Sequence, residues 1–173
     1  MIQIVEGLLS LDWSIAGRLA LSALLSGVIG IERSIRGKPA GLRTHLLVSL
    51  GSSLIMLISI KMGDLYPGKG VDPTRIAANV VAGLGFLGAG TIIHSRGSIQ
   101  GLTTAASLWA TGAIGLAVGC EYYQAAIQAT IAILLALHML DRLERFVVDR
   151  LAPGVTRAGP RIRERIRKKL FDE

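Results

Sequence analysis

The chain has 173 residues, 51% hydrophobic and only 18% charged, with a formal net charge of +7. That balance, with a mean hydropathy of +0.53, argues against a nucleotide enzyme or other water-soluble domain and for a chain built of long apolar stretches. The lone cysteine, Cys120, excludes an intrachain disulfide and carries no redox motif.

No basic region precedes the first apolar span, so a signal peptide is not expected. Five spans follow: Trp13–Ile31, Thr44–Ile60, Ile76–Ile93, Leu102–Cys120 and Tyr122–Leu140. Each has roughly the ~17–25 apolar residues that cross a hydrocarbon core as a helix, and none holds an Asp or Glu. The expected fold is an all-α polytopic membrane protein, with residues 1–140 as a five-helix transmembrane domain and 141–173 as a short basic cytoplasmic tail.

Span one carries a small-residue stripe, Ala16–Ala20–Ala23–Gly27–Gly30, and Arg18, which can snorkel to the outer interface. Glu32 and Arg33 close the span and pair locally. The connector before span three holds "GDLYPGKG", which nearly matches a phosphate-binding loop but ends in Gly70 instead of Ser or Thr. Its proline and glycines read as a turn. In "DPTRIAAN", Asp72 is placed as a helix N-cap, Pro73 in the first turn and Arg75 beside them.

Span three contains "GLGFLGAG", in which Gly83, Gly85 and Gly88 spell the dinucleotide fingerprint. No strand precedes it and no acidic residue follows at the required distance, so the nucleotide reading fails. Gly83, Gly85, Gly88 and Gly90 are read as helix-packing residues on two faces of the span. Span three is accordingly expected to be enclosed at the packing centre, with Leu84 on a bulkier, less critical sector. Asn79 is an intramembrane polar group, for which an interhelical hydrogen bond is the simpler role and a functional site the sharper one. Span four sets Thr104, Ser107, Thr111 and Gly115 on one face. Beyond span five, "DRLERFVVDRL" continues as a charged helix, and "RIRERIRKKL" is either an amphipathic helix on anionic lipid or a solvated end.

Charge fixes the orientation. "ERSIRGKPAGLR", "HSRGSIQG" and the tail are basic, whereas the opposite connectors balance Lys61, Lys69 and Arg75 with Asp64, Asp72 and Glu121. The positive-inside bias puts the N-terminus outside and the tail in the cytoplasm. The net charge is thus a topology signal, not a sign of nucleic-acid binding.

"RGKPAGLRT" (Arg36 to Thr44) and "RGSIQGLTT" (Arg96 to Thr104) share R-G-x-x-x-G-L-x-T in identical spacing. This suggests a degenerate parallel repeat, helices one–two and three–four, plus a fifth helix. Two helix starts near Thr44 and Thr104, with Arg36, Arg43 and Arg96, could hold a phosphate or lipid headgroup; basic inside loops with glycine turns and Thr caps are the plainer reading. His45, His94 and His138 lack metal-ligand spacing, and any metal site is left unknown. No nucleophile–base constellation is present, so neither an enzyme nor a cofactor is expected.

"GVIGIERSIRGKPAGLRTHLLVSLG", "DPTRIAANVVAGLGFLGAGTII" and "GLTTAASLWATGAIGLAVG" together resemble the MgtC/SapB family of bacterial inner-membrane proteins. The resemblance runs from about Ser14 to Leu140. It implies a five-helix membrane domain linked to low-magnesium adaptation and, in pathogens, to survival inside host cells. Many relatives carry a longer soluble C-terminal domain, whereas about thirty residues follow span five here. By motif, the resemblance singles out Glu32, Arg43, Thr44, Asp72, Arg75, Asn79 and Thr104.

Two functions follow from the residues and the resemblance. One is a non-enzymatic regulator acting on membrane partners, among them lipid and other inner-membrane proteins. The other is a small carrier or channel for Mg²⁺ or another solute, for which the spans offer hydroxyls but no carboxylate. An odd number of helices with several small-residue stripes also implies a homodimer, its contacts expected on Ala16–Gly30 and on Ala125–Ala129–Ala132–Ala136.

Overall fold

A computed structural model describes residues 12–70, 72–95 and 98–151. It contains α1 (Trp13–Ile35), α2 (Leu42–Leu65), α3 (Pro73–Thr91), β1 (Ile93–Ser95), β2 (Ser98–Gln100), α4 (Leu102–Gly119) and α5 (Tyr123–Leu151). Among the described residues, α1, α2 and α4 are long and apolar enough to cross a membrane, and the apolar part of α5 is the shorter Tyr123–Met139.

Capping chemistry sets most boundaries. Asp12 accepts from the N–H groups of Ser14 and Ile15 at the start of α1. That helix ends in a Schellman turn: Gly37 takes φ +62°, Lys38 N–H donates to the Arg33 carbonyl at 3.0 Å and Gly37 N–H to Ser34 at 3.0 Å. The glycine of the first R-G motif is therefore a helix terminator. Glu121 ends α4 the same way, with φ 64° and a 2.8 Å bond from Tyr122 N–H to the Ala117 carbonyl.

Gly41 and Gly101 are the N-caps of α2 and α4, so both G-L-x-T stretches open a helix at Leu42 and Leu102. Thr44 and Thr104 lie inside the first turns and cap nothing. The two connectors differ otherwise. Ile93–Ser95 and Ser98–Gln100 pair as antiparallel strands, with His94 opposite Ile99, where the sequence reading had the end of span three and a plain loop. Gly101 closes this hairpin at φ +92°, and a Cβ there would strike the Thr91 carbonyl oxygen.

The core is a seam between α1, α2 and α4, and α4 touches every other helix. Small residues let the backbones meet. A Cβ on Gly30 would lie 2.7 Å from Leu42 Cα, and one on Gly119 would lie 2.8 Å from the Ser53 carbonyl oxygen. Gly115 sits against the Ser49 carbonyl and Ser52, and Gly112 receives the end of Leu84 from α3. Ile29, Ile114, Val118 and Ala126 form a small apolar cluster that α5 covers through Ala129, Ile133, Leu134 and Leu137.

Span three is not the packing centre. Only Leu84 and Gly88 of α3 are buried; Gly88 faces Ala105, while Gly83, Gly85 and Gly90 have no neighbour within 4 Å of a Cβ position. Leu84, assigned above to the less critical sector, is the residue that anchors the helix. The physical reason is that Gly112, lacking a Cβ, leaves a notch that the end of the Leu84 side chain occupies. The glycine end of the α1 stripe has an intrachain role: Gly27 and Gly30 are buried against Leu42 and Leu46 of the same chain.

Candidate functional site

The interior of this bundle is hydroxylic. Ser22, Ser26, Ser49, Ser52, Ser53, Ser59, Thr104, Ser107 and Thr111 are all buried, while Leu24, Leu47 and Phe86 face outward. Most of these hydroxyls are engaged. Ser22 and Ser49 bond each other across α1 and α2 at 2.8 Å. Ser26, Ser52, Ser107 and Thr111 donate to carbonyls of their own helices at 2.7–2.9 Å, a local bond that satisfies a polar group in apolar surroundings. Ser59 donates to the Pro73 carbonyl at 2.5 Å, tying α2 to the start of α3. Ser53 Oγ is buried without a partner among the described residues.

At one end of the seam lies a charged cluster. Glu32 receives Nε of Arg33 at 2.5 Å and a second Arg33 nitrogen at 2.7 Å. Arg36, one turn on, binds the same carboxylate at 2.5 Å and reaches His138 Nδ1 of α5 at 3.0 Å. Arg33 is only 2% exposed, so its charge depends on Glu32 for compensation. Beside it His45 is fully buried, with Nδ1 2.9 Å from the Gly41 carbonyl and Nε2 3.2 Å from Ser107 Oγ. At the opposite end Arg18 pairs with Glu121 and donates to the Gly119 carbonyl at 3.4 Å. It thereby places a cation at the C-terminus of α4, where the helix dipole favours one.

The residues singled out from sequence do not converge on one site. Glu32 and Arg36 belong to the charged cluster, and Thr104 is buried in the seam. Arg43 and Thr44 are exposed on α2, whose Leu42 N–H is already taken by Ser34 Oγ at 2.9 Å. Arg96 lies outside the described residues, as does the basic tail beyond Leu151. Asp72 is the N-cap of α3, bound by the Thr74 N–H at 2.8 Å and hydroxyl at 2.7 Å. Those two bonds hold its carboxyl below the ordinary carboxylate value. Arg75 is exposed nearby.

Asn79 is also exposed, at the lip of an apolar groove of about 650 Å³ between α2 and α3, walled by Leu47, Gly51, Ile55, Val80 and Gly83. It makes no side-chain hydrogen bond among the described residues. Arg33 and His45, the most buried charged and ring groups of the seam, were not candidates from sequence. The signal was there: His45, Ser49, Ser52 and Ser59 form one polar stripe along an otherwise apolar helix.

Comparison with known proteins bears on these elements together. A family model described as the MgtC family matches residues 19–146. YhiD of Escherichia coli strain K12, named as a proposed magnesium transporter, is 48% identical over 130 residues, covering 73% of this chain and 60% of that protein. SapB of Bacillus subtilis strain 168 is 33% identical over 170 residues, covering 94% of this chain and 69% of that protein. MgtC of Salmonella typhimurium strain LT2 is 42% identical over 118 residues, covering 68% and 48% respectively. The chain thus spans about three-fifths or less of YhiD and MgtC. No solved structure matches it.

Proposed function

The chain belongs to the MgtC family, and on that premise we propose a non-enzymatic protein of the bacterial inner membrane that serves magnesium homeostasis or stress adaptation through contact with membrane partners. All five helices cross the bilayer in this reading. The nineteen residues of α3 reach about 28 Å at 1.5 Å per residue, close to the hydrocarbon thickness. The N-terminus is outside, and the tail with the Glu32–Arg36 cluster is cytoplasmic. Exposed Cys120 then lies outside, where an impermeant thiol reagent labels it in intact spheroplasts.

One observation carries the reading. Helix α3 leaves a face of small residues and one amide uncovered, whereas most hydroxyls of the seam are bonded to carbonyls or to each other. A helix that offers small residues and an amide to the lipid is suited to receiving another helix.

Reconstitution tests it. Liposomes holding the purified protein and a Mg²⁺-sensitive dye are expected to show no flux above protein-free vesicles. In cells, Asn79→Leu and Gly83→Leu are expected to lose growth support at low magnesium at unchanged expression. Protein-dependent flux would favour a carrier instead, the reading that the continuous hydroxyl seam and the naming of YhiD support.

A further inference from the structure

His45 is wholly buried where α1, α2 and α4 meet, and each of its ring nitrogens has a partner. Nδ1 is 2.9 Å from the Gly41 carbonyl and Nε2 is 3.2 Å from Ser107 Oγ. A carbonyl only accepts, so Nδ1 carries a hydrogen and donates it. The state of Nε2 is decided by Ser107, whose hydroxyl lies 2.9 Å from the Thr104 carbonyl. That hydroxyl has one hydrogen to give. When it goes to Thr104, Nε2 faces a lone pair and must itself donate, which makes the ring an imidazolium. When the hydroxyl turns to Nε2, the ring is neutral and the Thr104 carbonyl gives up that bond. A hydroxyl both donates and accepts, so the bond between α2 and α4 survives in either state and no ring nitrogen is left unpaired.

We infer that His45 is a proton-binding site built into the Glu32 end of the seam, with the Ser107 hydroxyl as the pointer that records whether the proton is bound. A buried polar group that changes protonation ordinarily leaves one hydrogen bond unmade, which is costly inside a bundle. Rotation of a single hydroxyl removes that cost here. The charged groups that act on the ring are Arg33 and Glu32 of α1. On its own helix Arg43 is exposed, and α4 has no ionisable side chain from Leu102 to Gly119. Glu32 already serves Arg33 and Arg36, so a proton on His45 brings a third cation to one carboxylate. The proton is therefore felt at two places. One is the Thr104 carbonyl in the first turn of α4; the other is the charge balance of the cluster that Arg36 links to His138 of α5. The site stands independently of the partner contacts proposed above.

Imidazole ¹⁵N spectra of the full chain in nanodiscs test it, followed from about pH 8 to about pH 5, the range in which histidine changes charge. The His45 signals are those lost in His45→Gln. Should that variant not fold, His94→Gln with His138→Gln leaves His45 as the sole imidazole of the three in the chain. Nδ1 is expected to carry its hydrogen throughout, and Nε2 to pass from a bare acceptor at high pH to an N–H at low pH. The ¹³C resonance of the Thr104 carbonyl is expected to shift with the same midpoint, because it gains the Ser107 hydroxyl as the proton binds. In Ser107→Ala that carbonyl shift should vanish while Nδ1 stays protonated. A neutral ring with its hydrogen on Nε2, or an Nε2 that does not change across the series, overturns the proton site. A Thr104 carbonyl that keeps still while Nε2 titrates, or that still shifts in Ser107→Ala, overturns the hydroxyl pointer and the inference with it.

Discussion

Gly115→Ala is the sharpest test of how the seam is held. The added methyl would land on the Ser49 carbonyl oxygen, 2.9 Å from Ser52 Cβ and 3.0 Å from the Ser49 carbonyl carbon. Two of these three atoms are backbone, and α2 cannot yield locally without breaking its own ladder. Restoring a contact of ~3.5–4.0 Å requires α2 and α4 to part by roughly 1 Å, which forfeits about a quarter to a half of the dispersion energy for atoms across the gap. The 2.8 Å Ser22–Ser49 bond lies on the same turn and would be disturbed with them. Overpacking of this kind costs about 1–3 kcal/mol, read as a fall of several degrees in the unfolding temperature in detergent. Gly83→Ala is the control: nothing lies within 4 Å of its new methyl, and Ala is better in a helix than Gly by about 0.8–1.0 kcal/mol. Its unfolding temperature should hold or rise. Equal stability of Gly115→Ala and wild type would refute the close approach of α2 to α4.

Three further outcomes follow from individual contacts. Leu84→Ala empties the notch at Gly112 and should destabilise the subunit by about 2 kcal/mol, the low end for buried leucine because lipid replaces water outside; adding Gly112→Ala should recover part of the loss, measurable as non-additivity in a thermal double-mutant cycle. Glu32→Gln leaves the buried Arg33 charge uncompensated and should cost about 3–5 kcal/mol in the same assay, far more than a surface pair. The Asp72 cap should be acid-sensitive: its carboxyl lies below the ordinary value in the fold, so its contribution is fully present above the unfolded value and is lost as pH falls through the folded one. The stability gap between wild type and Asp72→Ala should therefore close in acid, as followed by thermal melts across a pH series.

Helix positions and caps were legible because they depend on local chemistry. Asp72 before Pro73 and Glu32 next to Arg33 act within a few residues, whereas the caps of α2 and α4, which the sequence reading put at Thr44 and Thr104, are Gly41 and Gly101. The facing of α3 was not legible. In a soluble helix apolar residues mark the inside, but in lipid both sides are apolar and that signal vanishes. Gly83 and Gly88 look alike in sequence, yet Ala105 meets only Gly88. The notch for Leu84 belongs to a residue of another helix, Gly112, which no periodicity within span three can reveal. The buried Arg33 and His45 were hidden for a related reason: a charge at the end of an apolar span ordinarily reads as a topology marker. The stripe His45–Ser49–Ser52–Ser59 on α2 and the face Thr104–Ser107–Thr111–Gly115 on α4 pointed inward.

The modest apolarity of α3 reaches beyond the finished fold, to its manufacture. Its glycines, Arg75 and Asn79 leave it outside the three helices that meet the length and apolarity needed to span a membrane, so an insertion machinery scoring each segment alone would hold it weakly. Its connection to the next helix includes the short strand pair β1–β2, and its one large anchor, Leu84, reaches a notch in that same helix. In the five-span reading proposed above, crossing the bilayer is then a joint event of α3 and α4, with the weakly apolar helix entering alongside the partner that holds its anchor.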